Sequence, residues 1–266
     1  MVYVMLKERK NKYASMVFSR SGICSDFVSC FSNKESNILL ACSGGPDSAA
    51  MMGISRVLLN RGLVKKVEVV HVNHNLREEA LNDAEMCESQ ADMFDLPFFY
   101  YDIYPGLSEK NTYEAGRELR YQILQHHALK HHSDVIMTAH HADDIAETVM
   151  MHLARGCGIN GLCGVRERNS SFGHVDVVRP LLKVRKKKLE ELCNKANVPY
   201  CIDKSNFNTE KSRAYVRHSV IPVLEKLNPA FVEHVVKTAM FMQDIVEKES
   251  YGKNNRTKKH TSSIDG

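Results

Sequence analysis

None of the eight cysteines (Cys24, Cys30, Cys42, Cys87, Cys157, Cys163, Cys193, Cys201) forms a CxxC pair. Neither a zinc ribbon nor an iron–sulfur or disulfide-exchange motif is therefore written locally. No stretch approaches the roughly 18 uninterrupted apolar residues that a bilayer span requires. There is no HExxH frame, no internal repeat and no glycine–lysine–serine/threonine ending to any glycine loop, which excludes a Walker A nucleotide site. The expectation is a globular chain with reduced thiols that mostly fill the core, in a cytosol-like, cytoplasmic compartment without membrane attachment.

What is present fits that class. A chain of 266 residues with 43% hydrophobic and 26% charged residues can bury one large α/β domain plus a smaller appendage. The formal charge of +4 hides an uneven distribution. Residues 179–217 hold 11 Lys and Arg against 4 Asp and Glu, a local +7 on a body of −3. That is the footprint of a polyanion binder, although KVRKKKLEEL alone would equally suit a solvated helix face. Residues 1–34 are basic and serine-rich (Lys7, Arg9, Lys10, Lys12, Arg20) without a continuous apolar core, so they read as a flexible extension and not as a secretory signal. A transit peptide is compatible with the same composition.

Short apolar runs at 38–42, 67–72, 98–103 and 134–139 predict strands. Helical periodicity follows each of them, at about 46–60, 79–94, 112–129 and from 142 onward. Alternation at these spacings predicts an α/β fold, a parallel sheet with helices on both faces, whose ligands bind beyond the carboxyl ends of the strands. Helices at 185–196, 212–226 and 229–247 predict a small helical C-terminal part. The domain reading is an extension at 1–34, the α/β domain at 35–218, a helical extension at 219–248 and a disordered tail at 249–266.

SGGPDS (Ser43, Gly44, Gly45, Pro46, Asp47, Ser48) follows the first strand and opens a helix. Two glycines let the backbone turn sharply and present N–H groups, and the helix start offers its positive end, so the segment suits a phosphate. Ser43 and Ser48 can donate hydroxyls, and Asp47 can cap the helix or hold a cation. HVNHNLR (His71, His74, Arg77) closes the second strand with imidazoles and a guanidinium able to fork onto phosphate. Glu114, Arg117 and Arg120 share one helical face, fit either to grip phosphate or to form a surface ion-pair row. His140 precedes a helix whose first turn holds Asp143 and Asp144, with Glu147 one turn on. Such acids complement a helix dipole, or offer Mg²⁺ the hard oxygens it prefers. Gly156, Gly158 and Gly161 read as a flexible stretch after that helix or as mere C-caps. The pairs His126/His127 and His131/His132, without partner cysteines or an HExxH frame, read as a surface helix face in preference to a zinc site, and Met51, Met52, Met150 and Met151 as core.

SGGPDS resembles the pyrophosphate loop of the N-type ATP pyrophosphatases, or PP-loop enzymes. The ordered series HVNHNLR, EAGRELRY, TAHHADDIAETVMMHLARGCGINGLCG and RPLL is similar to the tRNA(Ile)-lysidine synthase family within them, over roughly residues 38–225. The resemblance implies ATP as substrate with Mg²⁺, and ligation of free L-lysine to C2 of the wobble cytidine of a CAU-anticodon isoleucine tRNA through an adenylated intermediate. It implies ATP binding by Ser43–Ser48, His71 and His74, catalysis by Asp47, Arg117, His140 and Asp144, and metal binding by Asp143, Asp144 and Asp47. It further implies tRNA contacts from Arg77, Arg120, Lys183, Arg185, Lys186, Lys187, Lys188, Arg213 and Arg217, with DKSN (Asp203–Asn206) as part of a later motif. A homodimer is one assembly the sequence allows. Asn75 stands where the family commonly has glycine, which Asn tolerates because it accepts left-handed backbone angles. Two rival readings are tRNA thiolation on the same scaffold and a non-catalytic nucleotide-binding module.

Overall fold

In a computed structural model, which describes residues 2–31, 35–75, 80–104, 112–201 and 212–261, the apolar runs form adjacent parallel strands. These are β1 (Asn37–Cys42), β2 (Lys66–Asn73), β3 (Phe98–Asp102) and β4 (Val135–Thr138). Two further strands, β5 (Arg168–Asn169) and β6 (Asp176–Val178), complete a six-stranded sheet of order β3-β2-β1-β4-β6-β5. Only the β5–β6 pairing is antiparallel. Sequence analysis predicted four strands; the other two are too short for any periodicity to register.

The chain divides into two compact units, Met1–His141 with Glu167–Asp203, and Ala142–Arg166 with Lys204–Gly266. This differs from the expected boundary at 218/219, because the block that follows β4 belongs to the second unit.

In the first unit, alternate residues of each strand face opposite ways and both sets are buried, which is why the strands read as unbroken apolar runs. Ile38, Leu40, Val67, Val69, Val135 and Met137 join one core cluster. It is filled from α1 (Val2–Ser19), α3 (Pro46–Asn60), α4 (Ala80–Met93) and α8 (Lys186–Lys195). Leu39, Val70, Val72, Ile136 and Val177 face the other way, against Tyr121, Leu124 and Ala128 of α5 (Thr112–Lys130). The expected arrangement of helices on both faces is therefore present.

The N-terminal segment departs from the expectation of a flexible extension. Helix α1 and the short α2 (Cys24–Val28) pack on α3. Phe18 is wholly buried, meets Phe94 edge-on at 5.9 Å, and lies so close to Gly53 that a Cβ there would fall 2.3 Å from its ring. Met51 and Met52 are fully buried as expected, whereas Met150 and Met151 are only half-buried. All eight cysteines are free thiols. Among the described residues no helix is long and apolar enough to cross a membrane.

The second unit is helical: α6 (Ala142–Arg155), α7 (Ile159–Leu162), α9 (Ser212–Tyr215), a π-helical stretch (Val216–Val220), α10 (Ile221–Leu227) and α11 (Phe231–Thr261). Helix α11 runs on to Thr261, into the stretch from residue 249 where a disordered tail was expected.

If α1 is part of the core, Phe18→Ala should lower unfolding free energy by about 3–5 kcal/mol, as other buried Phe truncations do. Equilibrium denaturation with urea measures this. A loss under about 0.5 kcal/mol would be that of an exposed residue and would restore the flexible reading.

Candidate functional site

The chain order in the sheet reverses between β1 and β4, and ligands of such sheets bind outside the carboxyl ends of the strands at that point. The glycine loop leaves β1 there. Gly44 adopts φ +80°, and a Cβ on it would lie 2.6 Å from the carbonyl oxygen of Asp83, so no other residue fits. Gly45 caps α3 without a side chain, and Pro46 occupies the first turn, where its missing N–H costs nothing. The start of α3 is thus left for an anion. Ser43 is exposed, and its N–H donates to Ser48 Oγ at 3.3 Å; Ser48 in turn donates to the Gly45 carbonyl at 3.0 Å. From behind, the buried amide of Gln90 donates to the Gly44 carbonyl at 3.0 Å and to that of Pro199 at 2.8 Å. The Cys201 N–H also reaches Gly44 O, at 3.0 Å.

Asp47, in the first turn of α3, has its Oδ2 3.6 Å from His141 Nε2 and 3.8 Å from Lys186 Nζ. His141 was not singled out by sequence analysis; its only signal is its place beside His140 after β4. Lys186, expected to touch tRNA, stands beside this carboxylate. His140 Nδ1 pairs with Thr138 Oγ1 at 2.9 Å.

His71 is buried, its Nδ1 3.0 Å from the Cys42 carbonyl, and its ring stacks on Tyr100. The Cys42 thiol, hydrogen-bonded to Cys87, draws the pKa of Cys87 down to about 6, with His71 acting the same way against burial. His74 lies partly buried just past β2. Asn75 has φ +50°, in the left-handed region that Asn accepts, and donates to Asp102 Oδ1 at 2.8 Å. Arg77 and Asp203–Asn206 lie outside the described residues.

Arg179 leaves the carboxyl end of β6 and is 4% exposed. Burial lowers its pKa, and Arg117 and Arg120 of α5 stand near enough for their charges to push the same way, against Tyr121. Arg117 lies over the rings of Tyr121 (5.2 Å) and Phe172 (5.5 Å), Arg120 over Tyr121 (5.3 Å), and the two rings stack at 3.7 Å. Sequence analysis quoted Arg179 in RPLL without giving it a role. Lys183, Lys187 and Lys188 are exposed, and Arg185 caps α8.

In the second unit, Glu147 is fully buried on α6. It accepts from Arg213 Nε at 2.7 Å and from Arg217 Nε at 2.6 Å and Nη2 at 3.0 Å. Arg213 Nη2 also donates to Asp144 Oδ1 at 2.8 Å. Burial alone would lower the pKa of Arg217, but Glu147 and then Asp144 hold it raised. Both arginines, expected on tRNA, thus bind acids of the third sequence block, and Asp144, expected on metal, accepts from one of them. Asp143 is partly buried in the first turn of α6. The glycine stretch after α6 is anchored: His152 Nδ1 meets the Gly161 carbonyl at 2.8 Å, and Gln243 donates to Cys163 O at 2.7 Å.

A family model described as a PP-loop domain matches residues 19–224. The chain is 31% identical to a tRNA(Ile)-lysidine synthase of Thermosipho africanus, covering 81% of this chain and 49% of that protein. It is 32% identical to the tRNA(Ile)-lysidine synthase of Thermotoga maritima, over 81% of this chain and 54% of the relative. For that of Dehalococcoides mccartyi the values are 34%, 88% and 49%. The chain spans about half the length of the curated relatives it matches. Among solved structures, the U34-tRNA thiolase NcsA from Methanococcus maripaludis has the same fold, with TM-score 0.67 and 16% identity, covering 89% of this chain and 79% of that one.

Gly44→Ala should abolish nucleotide binding, because both φ and the Asp83 carbonyl forbid it, at a stability cost of about 1–3 kcal/mol. Isothermal titration with ATP beside a thermal melt checks both halves. Glu147→Gln should cost about 3 kcal/mol by leaving two arginines against a neutral amide. Urea unfolding reads that loss, and an unchanged midpoint would show the ion pairs to be idle.

Proposed function

The chain belongs to the PP-loop domain family, and on that premise we propose that it joins free lysine to C2 of the wobble cytidine of a CAU-anticodon isoleucine tRNA at the expense of ATP. The observation that carries the reading is the gathering of Arg117, Arg120 and the buried Arg179 at the same sheet edge as the glycine loop. A loop alone would serve any nucleotide binder. Three guanidiniums beside it, those of Arg117 and Arg120 set on aromatic rings, serve a reaction in which charge moves along a polyphosphate and an RNA backbone is held. The lysidine synthase names of the relatives support the choice of base and amine.

In this reading the β and γ phosphates of ATP rest on the N–H groups of Gly44–Ser48 and on the hydroxyls of Ser43 and Ser48. His71 and His74 border the nucleotide. Arg117 steadies the α-phosphate while the cytidine O2 attacks phosphorus and the bond to the bridging oxygen breaks, releasing pyrophosphate. The lysine ε-amine then attacks C2, the C–O bond breaks, AMP leaves and the nitrogen loses its proton. Adenylation is what turns that oxygen into a leaving group. Lys183, Lys187 and Lys188, exposed at the start of α8, supply contacts to RNA whose target base has been drawn from its stack. Asp47 offers a hard carboxylate oxygen beside the loop and fits Mg²⁺, which takes few protein ligands and completes its shell with phosphate and water. When bound, Mg²⁺ supplies neutralisation of charge on the departing pyrophosphate. The metal role for Asp143 and Asp144 rests on their sequence block.

Sustained, multiple-turnover release of pyrophosphate should require ATP, tRNA and lysine together, with at most one equivalent per tRNA released when lysine is left out; ADP as product, or sustained turnover indifferent to lysine, would overturn the reading. Arg117→Ala and Asp144→Asn should each lower kcat/KM by about 100-fold or more with cooperative unfolding retained.

A further inference from the structure

At the amino edge of the sheet, away from the strand ends that carry the loop, a carboxylate occupies a core position. Residues 68, 70 and 72 of β2 face α5; two are buried valines and the third is Glu68, 3% exposed. Opposite it on α5 stand His127, fully buried, and His131, one turn on and partly exposed. Sequence analysis placed these histidines on a surface face without a ligand partner. The fold overturns that for His127 and brings the missing carboxylate from a strand 59 residues earlier in the chain.

The cluster is incompletely satisfied by protein. Glu68 Oε1 accepts from Lys66 Nζ at 2.8 Å and faces His131 Nδ1 at 3.1 Å. Burial alone would raise the pKa of Glu68, but these two partners hold it lowered, so it is ionised. Its Oε2 and the His127 Nε2 lie 3.7 Å apart, and neither has a hydrogen-bond partner although both are buried. His127 Nδ1 is 2.9 Å from the Tyr101 hydroxyl. In the tautomer that donates this N–H, Nε2 turns its lone pair on the Glu68 oxygen. In that tautomer a cation fits between the two acceptors; in the other, the Nε2–H faces the same oxygen across 3.7 Å, longer than a hydrogen bond. The two imidazoles stack at 4.0 Å with planes 13° apart, an arrangement that suits neutral rings.

We propose that Glu68, His127 and His131 form a zinc site. Their donor atoms all lie within 4.8 Å of one another. Tetrahedral Zn²⁺ with nitrogen and oxygen ligands near 2.0–2.1 Å needs donors about 3.4 Å apart, so shifts of about 1 Å close the set. Tyr101 fixes the orientation of His127, as outer partners of metal-bound histidines do. Lys66, whose side chain is 40% exposed, has water into which to withdraw when the ion takes its place on Glu68. The fourth position opens on the exposed side of His131 and takes water. Bound there, zinc ties β2 to the last turn of α5, on the side of the sheet remote from nucleotide.

The test uses the full chain, stripped with a chelator and free of nucleotide, titrated with Co²⁺ as a coloured stand-in. One equivalent should give the visible bands of four-coordinate cobalt without the near-ultraviolet sulfur charge-transfer band that the free thiols would produce. Zn²⁺ should displace it and raise the melting temperature by about 4 °C or more. His131→Ala and Glu68→Gln should each weaken Co²⁺ binding at least about tenfold, whereas His126→Ala, exposed on the same helix, should not. Absence of a stoichiometric site, a sulfur band, or unchanged affinity in His131→Ala would each overturn the proposal. The wild-type spectrum and the half-exposed His131 variant decide it even if Glu68→Gln fails to fold.

Discussion

The turn at Gly44 is the constraint on which the first unit is organised. Its left-handed backbone lets β1 end and α3 begin within three residues, and the Asp83 carbonyl presses so closely that a methyl group has no room. Everything around it fixes those three residues in place. β1 is hydrogen-bonded between β2 and β4, so its end cannot drift. α3 is covered on every side, with Ala49 to Ile54 buried without a break, so its start cannot pivot. Gln90 and Cys201 hold the Gly44 carbonyl from behind. A phosphate site made of backbone N–H groups has no side-chain rotamers to adjust, and its precision must come from such surroundings.

That dependence explains what was legible in the sequence. β1 to β4 are buried on both faces, and unbroken apolar runs announce them; the loop announces itself by two adjacent glycines between a strand and a helix. The N-terminal helix was misread because its own composition is basic and polar. The signal lay instead in α3, where AAMMGI has no polar face at all. A helix apolar all round must be covered all round, and one sheet covers only one side of it. Phe18 against Gly53 is that second cover. β5 and β6, two and three residues long, hold no periodicity to read.

The site was legible in composition and only partly in pairing. Ser43–Ser48, His71, Arg117 and Arg120 lie at the sheet edge where alternating topology puts them. Which charge answers which is a matter of distant segments, and no local spacing encodes it. Glu147 and Arg213 are 66 residues apart, and Glu68 and His131 are 63 apart. Arg213 and Arg217 reach the same carboxylate because they stand four apart across the junction of α9 with the π-helical stretch.

The arginines consequently fall into two kinds that sequence alone treats as one. Arg213 and Arg217 turn their N–H edges to carboxylate oxygens at 2.6–3.0 Å, and a guanidinium so engaged has spent most of its directional donors. Arg117 and Arg120 lie over aromatic rings, an attraction that does not itself use the N–H donors. Among the described residues, the second kind is recorded on no carboxylate that a phosphate would have to displace. An arginine held by Glu147 would have to strip a buried carboxylate of one of its two partners to do the same. On the proposed function, the ring-stacked arginines and the exposed lysines at the start of α8 are the groups best placed for polyanion, while the Glu147 cluster ties helices of the second unit together.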